Sequence, residues 1–216
     1  MKKEEREKLL KQKLIDMSVY EKQLYAGGIT TVAGVDEVGR GPLAGPVLAA
    51  CAVLPADWDI PGLDDSKKLS EKKRNEMFQI ISDRALAIGI GMADNNTIDE
   101  INILNATKQA MRQAVAEAEK QLGEAIGHIL VDAVTIDGID NEQTAIIKGD
   151  AKSISIAAAS IIAKVTRDNM MKKYALEYPH YAFESNKGYG TKAHYQGINE
   201  HGITPIHRKT FLKGIL

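Results

Sequence analysis

The period of the apolar positions changes along the chain. Over residues 4–26, Leu9, Leu10, Leu14, Met17 and Leu24 fall on helical spacing within charged sequence, and Gly27-Gly28 follows as a C-terminal stop. This predicts one helix, acting as a packing arm or a linker. From Thr31 the pattern becomes that of strands: Thr31–Asp36 and Val47–Leu54 are expected to be extended. Between them lies Gly39-Arg40-Gly41-Pro42-Leu43-Ala44-Gly45-Pro46, too rich in Gly and Pro for regular structure. Further strands are expected at Leu86–Met92, Ile129–Asp132 and, briefly, Thr144–Ile147.

Three longer helices follow from the same reading. One spans Ser70–Arg84, with Met77, Ile80 and Ile81 on one face. A second runs from Thr97 or Ile101 to Leu122, where Leu104, Met111, Val115, Ala118 and Leu122 step by three, four or seven, and Thr97 and Glu100 have the spacing of a capping box. The third runs from about Ser155 to Glu177 and stops before Pro179. Loops and one short helix are expected after Tyr178. Strands come early and helices alternate or follow, which predicts an α/β fold with a mixed central sheet flanked by helices.

Composition narrows the function classes only modestly. The 216 residues suit one domain with a small appendage, and 44% hydrophobic with 26% charged residues is an ordinary globular balance. A formal net charge of −1 gives no global pull toward nucleic acid, so any such surface must come from local clusters of Lys and Arg. Cys51, the single cysteine, lies in an apolar run without cationic neighbours and reads as a core residue. The charged N-terminus lacks a signal core, and no apolar stretch has bilayer length. A cytoplasmic chain without membrane contact is expected.

The carboxylates carry the first chemical signal. In Val35-Asp36-Glu37-Val38-Gly39 two adjacent acids end an apolar strand. Neighbouring strand residues face opposite ways, so both acids reach one site only if the chain bends. Asp132 ends the run Ile129-Leu130-Val131 in the same manner. Asp150 lies just before the third long helix, where a helix N-terminus would keep it ionised. Each acid alone reads as a turn or cap residue; together they suggest an acidic site for hard divalent cations. Asp64, Asp65, Asp137 and Asp140 read as turn residues.

The stretch from Gly34 to Val47 closely resembles the opening motif of bacterial type 2 ribonuclease H, ribonuclease HII. Further blocks match in order: Asp65-Ser66-Lys67-Lys68-Leu69-Ser70, Leu130-Val131-Asp132, residues 148–160, Lys187-Gly188-Tyr189-Gly190-Thr191, and Thr204-Pro205-Ile206-His207-Arg208. The resemblance covers roughly residues 31 to 211. It implies a ribonuclease H-like fold with a helical C-terminal part; the helical arm, residues 1–28, lies outside the matched blocks and precedes a catalytic domain over 29–216. By position, Asp36, Glu37, Asp132 and Asp150 become metal-binding catalytic carboxylates for Mg²⁺ or Mn²⁺, in a two-ion mechanism that leaves 5′-phosphate and 3′-hydroxyl ends. Gly39, Arg40 and Gly41 are implied to read the ribonucleotide 2′-hydroxyl, and Tyr189 to pack against the sugar at the RNA–DNA junction. Lys67, Lys68 and Lys187 are expected to meet backbone phosphates.

The implied substrates are RNA–DNA hybrids and duplex DNA containing ribonucleotides, acted on by a monomer. The related ribonuclease HIII is expected to carry Lys at the position of Arg40 and a longer N-terminal domain, so Gly-Arg-Gly favours type 2. A DNA-directed nuclease on the same fold would share the carboxylates; the ribose-reading residues separate the two. A hybrid-binding module without activity would lack at least one carboxylate, and all four are present.

Overall fold

The structure, a computed structural model, describes residues 3–214. Five strands form one sheet: β1 (Val32–Val38), β2 (Val47–Val53), β3 (Ala87–Ala93), β4 (His128–Asp132) and β5 (Gln143–Ile146). Their order is β3-β2-β1-β4-β5. β1 pairs antiparallel with β2, and β2 with β3, whereas β4 runs parallel to β1 and β5 parallel to β4. The sheet is therefore mixed, as the order of patterns predicts. All five expected strands are present, with ends moved by one or two residues; β5 stops at Ile146, and Ile147 turns out into solvent.

Among the described residues seven helices surround it: α1 (Lys3–Met17), α2 (Val19–Ala26), α3 (Glu71–Arg84), α4 (Asn95–Leu122), α5 (Ile154–Glu177), α6 (Phe183–Asn186) and α7 (Lys192–His201). On one face, Ala33, Val35, Ala49, Cys51 and Val53 pack against Ala110, Met111, Ala114, Val115 and Ala118 of α4. On the other, Leu48, Ala50 and Ala52 meet Ala157, Ala158, Ile161 and Ile162 of α5, with Met77 and Ile81 of α3 in the same cluster. Strand alternation thus sends Val35 toward α4 and its neighbours Gly34 and Asp36 toward α5. Gly34 makes that second contact possible: a Cβ there would overlap the backbone of Ser155 and Ile156. The start of α5 therefore lies directly on β1.

Several helix expectations need correction. The arm is two helices, broken at Ser18, whose hydroxyl donates to the Leu14 carbonyl at 2.5 Å. Met17 is buried but Leu9 is 60% exposed, so apolar spacing at the start of the arm does not mark a packed face. Helix α4 is capped by Asp94, which accepts from the Thr97 N–H at 2.8 Å, and not by a Thr97–Glu100 box. Within it Asn102 is non-helical (φ 66°, ψ 164°), and its side chain accepts from the N–H groups of Leu104 and Asn105, starting the helix afresh. The restart leaves Leu104 exposed, and small alanines make the sheet-facing stripe instead. After Tyr178 the described residues form two α-helices, α6 and α7, in place of one.

The arm is tied to the body by charge. Lys13 of α1 pairs with Asp64, and Glu21 of α2 is buried against the start of α5. Its carboxylate accepts from the Ser153 hydroxyl at 2.5 Å and the Ser155 N–H at 3.0 Å. Cys51 lies in the core, where burial pushes its thiol far up.

Candidate active site

Parallel pairing of β1 with β4 places Val35 beside Val131. The next residue on each strand is an aspartate, so Asp36 and Asp132 stand side by side on adjacent strands. The third acid arrives through a backbone clamp: the Asp132 carboxylate accepts the Gly149 N–H at 2.7 Å and holds the one-turn helix Gly149–Ala151 that carries Asp150. Carboxylate oxygens of Asp36, Asp132 and Asp150 lie within 4.8 Å of one another. Glu37 lies outside this trio. β1 continues through it, opposite Ala49, without the expected bend, and Arg40 pairs with it at 3.5 Å. It nevertheless lines the same cleft of about 160 Å³, with Asp36, Val38, Ser66, Lys67, Ser160, Lys164 and Tyr189.

The electrostatics are those of crowded acids. Burial raises the pKa of Asp36 well above the usual carboxylate range, and Glu37 and Asp132 push it further. The Ser160 hydroxyl, itself 2.9 Å from that of Ser66, works the other way by bonding to Asp36. Asp150 is raised by burial and then by Asp65 and Asp132. Burial and the neighbouring carboxylates thus act against the stabilisation of charge expected from a helix N-terminus. Ser153, not Asp150, caps α5, and the turn holding Asp150 sits among other carboxylates. Glu37 is also raised by burial, with Arg40 opposing and Asp132 adding to the shift. An assembly of like charges in a partly dry site is costly unless a cation offsets it, and hard oxygen donors at this spacing suit a divalent ion.

Beside the acids, the segment 39–46 is held from below by two fully buried arginines. Arg167 of α5 donates to the carbonyls of Pro46 (2.9 Å), Ala44 (3.3 Å) and Lys187 (2.9 Å). Arg208 donates to those of Gly45 (2.9 Å), Arg40 (2.8 Å) and Gly39 (2.6 Å). Neither has a salt bridge among the described residues, and burial lowers Arg167 to about 10 and Arg208 to about 9. Both stay charged near neutral pH. Tyr189 rests over Gly41, its ring 3.4 Å from where a Cβ would sit. His194 Nδ1 donates to the Tyr189 carbonyl at 2.9 Å, which leaves Nε2 to accept from Nε2 of His207 at 3.0 Å. His207 Nδ1 in turn accepts from the Thr204 N–H and hydroxyl.

Comparison with known proteins places this arrangement. The family model described as Ribonuclease HII matches residues 33–213. The chain belongs to the ribonuclease HII family. Ribonuclease HII of Clostridioides difficile (strain 630) is 55% identical over 205 residues, covering 95% of this chain and 79% of that protein. The crystal structure of ribonuclease H2 from Pyrococcus horikoshii OT3 superposes with a TM-score of 0.68 at 30% identity, covering 86% of this chain and 96% of that one. Bst-RNase HIII in complex with Mn²⁺ shares the fold at 18% identity and a TM-score of 0.59, covering 84% of this chain and 64% of that one. As a ribonuclease HII the chain is an endoribonuclease, a hydrolase with ribonuclease H activity on RNA–DNA hybrids.

Against the ribonuclease HII motifs the other sequence expectations sort as follows. Lys67 is at the cleft, 3.9 Å from Asp150; burial opposes its charge, but Asp150, Asp36, Asp65 and Asp132 raise its pKa overall. Lys68 pairs with Asp65 at 3.9 Å. Lys187 stands apart from the carboxylates: its ammonium donates to the Glu184 carbonyl, and burial lowers its pKa. Asp65, read as a turn residue, belongs beside Asp150. Ser160 and Lys164 also line the cleft, and two polar residues four apart on a mostly apolar helix start are a usable sequence signal. Lys164 pairs with Asp168 at 2.8 Å. Nothing in the sequence marked Arg167, His194 or the contacts of Arg208. Among the described residues no helix is long and apolar enough to cross a membrane.

Proposed function

We propose that Asp36, Asp132 and Asp150, with Glu37 beside them, hold Mg²⁺ or Mn²⁺, and that the chain nicks duplex DNA on the 5′ side of an embedded ribonucleotide as well as cutting RNA in hybrids. The convergence of three carboxylates within 4.8 Å carries the reading. The raised pKa values of Asp36 and Asp150 fit a site whose charge is balanced by divalent cations when substrate is cut. Bound there, such ions would lower the pKa of an attacking water and offset charge on the departing 3′ oxygen. The Mn²⁺ complex of Bst-RNase HIII supports the choice of ion class.

The protein's own part is positioning and selection. Asp132 orients the turn of Asp150 through the Gly149 N–H, and Ser160 bonds to Asp36. Lys67, exposed at the rim, would meet a backbone phosphate, and Lys68 would meet the next one. Gly39, Arg40 and Gly41 would read the 2′-hydroxyl, with Tyr189 packed against the same sugar; the cleft lies between Tyr189 and the acids. Arg40 would leave Glu37 for substrate, since the two pair only at 3.5 Å. Lys187 would act at a more distant phosphate. All the carboxylates come from one chain, so a monomer suffices, working in the cytoplasm where replication leaves ribonucleotides in DNA.

A labelled duplex with one ribonucleotide tests this directly, with and without Mg²⁺ or Mn²⁺. A metal-dependent nick 5′ of the ribonucleotide, leaving 5′-phosphate and 3′-hydroxyl ends, is expected, with an all-DNA duplex left intact. Cutting of long hybrids alone would point to type 3-like specificity. Asp132→Asn should abolish cleavage and largely retain binding; retained activity would overturn the metal site.

A further inference from the structure

Arg208 is fully buried, charged, and without a carboxylate partner among the described residues. Such a cation is expensive to keep in the interior, and its hydrogen bonds must supply the compensation. They go to three carbonyls of one segment, Gly39, Arg40 and Gly45. Two of these are consecutive. In a trans peptide the C=O and the following N–H point in opposite directions, and the described chain has no cis bond. Turning the Gly39 and Arg40 carbonyls in toward Arg208 therefore turns the N–H groups of Arg40 and Gly41 outward. Among the described residues neither N–H has a hydrogen-bond partner. Arg40 and Gly41 are exposed, and Tyr189 stands over Gly41 at the cleft.

The guanidinium does more than aim these groups. A charge-assisted bond to each carbonyl polarises its peptide unit, which strengthens the N–H on the far side as a donor. Arg167 acts in concert from beneath, bonding Ala44 and Pro46 and so holding the end of the same segment. The result is a pair of adjacent, pre-aimed donors with positive charge behind them, a geometry that receives an oxygen atom. We infer that Arg208 is a positioning residue for substrate selection: it presents the Arg40 and Gly41 amides as a two-donor site for the 2′-oxygen of the ribonucleotide. The inference rests on the proposed role of Gly39-Arg40-Gly41 in reading ribose.

Binding in the cleavage-deficient Asp132→Asn protein separates the possibilities. Affinity is measured by fluorescence anisotropy for a duplex with one ribonucleotide and for the same duplex in all-DNA form. Asp132→Asn should prefer the ribonucleotide duplex. Adding Arg208→Lys, which keeps a charge but loses the planar fork, should cut that preference about tenfold, as expected for disturbing a well-placed donor, with little change toward the all-DNA duplex. General damage to the fold would weaken both duplexes alike, so an unchanged preference overturns the role of Arg208. A parent protein with no preference overturns the ribose-reading segment itself and this inference with it. A second measurement needs no change at Arg208: in Asp132→Asn, the amide resonances of Arg40 and Gly41 should shift with the ribonucleotide duplex and not with its all-DNA counterpart. Equal shifts with both overturn the inference.

Discussion

Gly39 lies directly on the guanidinium of Arg167. A Cβ at residue 39 would overlap Nε, and the backbone there has φ +90°. The first glycine of the Gly-Arg-Gly motif is thus required by a buried arginine beneath it, before any substrate is considered. Gly39→Ala should cost about 3 kcal/mol through left-handed strain and overpacking. Urea unfolding checks the loss; a change under 0.5 kcal/mol would mean that Arg167 moves aside freely.

Metal affinity should depend on pH. Because Asp36 and Asp150 have raised pKa values in the metal-free protein, protons compete with cations as the pH falls toward those values. The sign for stability is the reverse of that for a salt-bridged acid. Groups with raised folded pKa values favour the metal-free fold at low pH and lose that contribution as the pH rises through those values. Mn²⁺ binding followed by electron paramagnetic resonance should weaken from pH 8 to pH 6, and Mn²⁺ should raise the melting temperature more at pH 8. Equal affinity at both would remove the crowded acids from the ion site.

The histidine pair gives a separate dependence. Burial, and then His194, lower His207 to about 4, and burial lowers His194 as well. A histidine whose folded pKa lies below its unfolded value of about 6.5 contributes stability in full above pH 6.5 and loses it as the pH falls toward about 4. Between those limits the wild-type protein should lose about 1.4 kcal/mol per pH unit from His207 alone. Replacing it, as in His207→Asn, should flatten that slope in urea melts taken from pH 7 to pH 5. An unchanged slope would count against a neutral relay behind Tyr189.

Glu21 joins the arm to the catalytic body. Its removal strands the Ser155 N–H and the Ser153 hydroxyl in a buried place, so Glu21→Ala should destabilise by about 2 to 3 kcal/mol. Glu21→Gln, which keeps an acceptor oxygen, should recover more than half of that in the same thermal or urea assay. No loss in Glu21→Ala would show that the arm contributes nothing to the placement of α5.

Read alone, the chain determined a good deal. Strand and helix positions follow from the periods of 2 and 3.6, because those periods reflect local backbone geometry. Asp36 and Asp132 were visible as acids that end apolar strands, and the family motifs named the Gly39–Gly41 segment and Tyr189. Tertiary structure alone decided which acids meet. Parallel register puts Asp132 beside Asp36, whereas strand alternation and Arg40 draw Glu37 out of the trio. Asp65 joined Asp150 although its local sequence is that of a turn. Arg167 and Arg208 look like surface charges in their own stretches, Lys164-Val165-Thr166-Arg167-Asp168 and His207-Arg208-Lys209. Their partners are backbone carbonyls, which have no residue signature, and Gly45 lies 163 positions from the arginine that holds it. A side chain's fate is set by what surrounds it, and only folding brings that environment together.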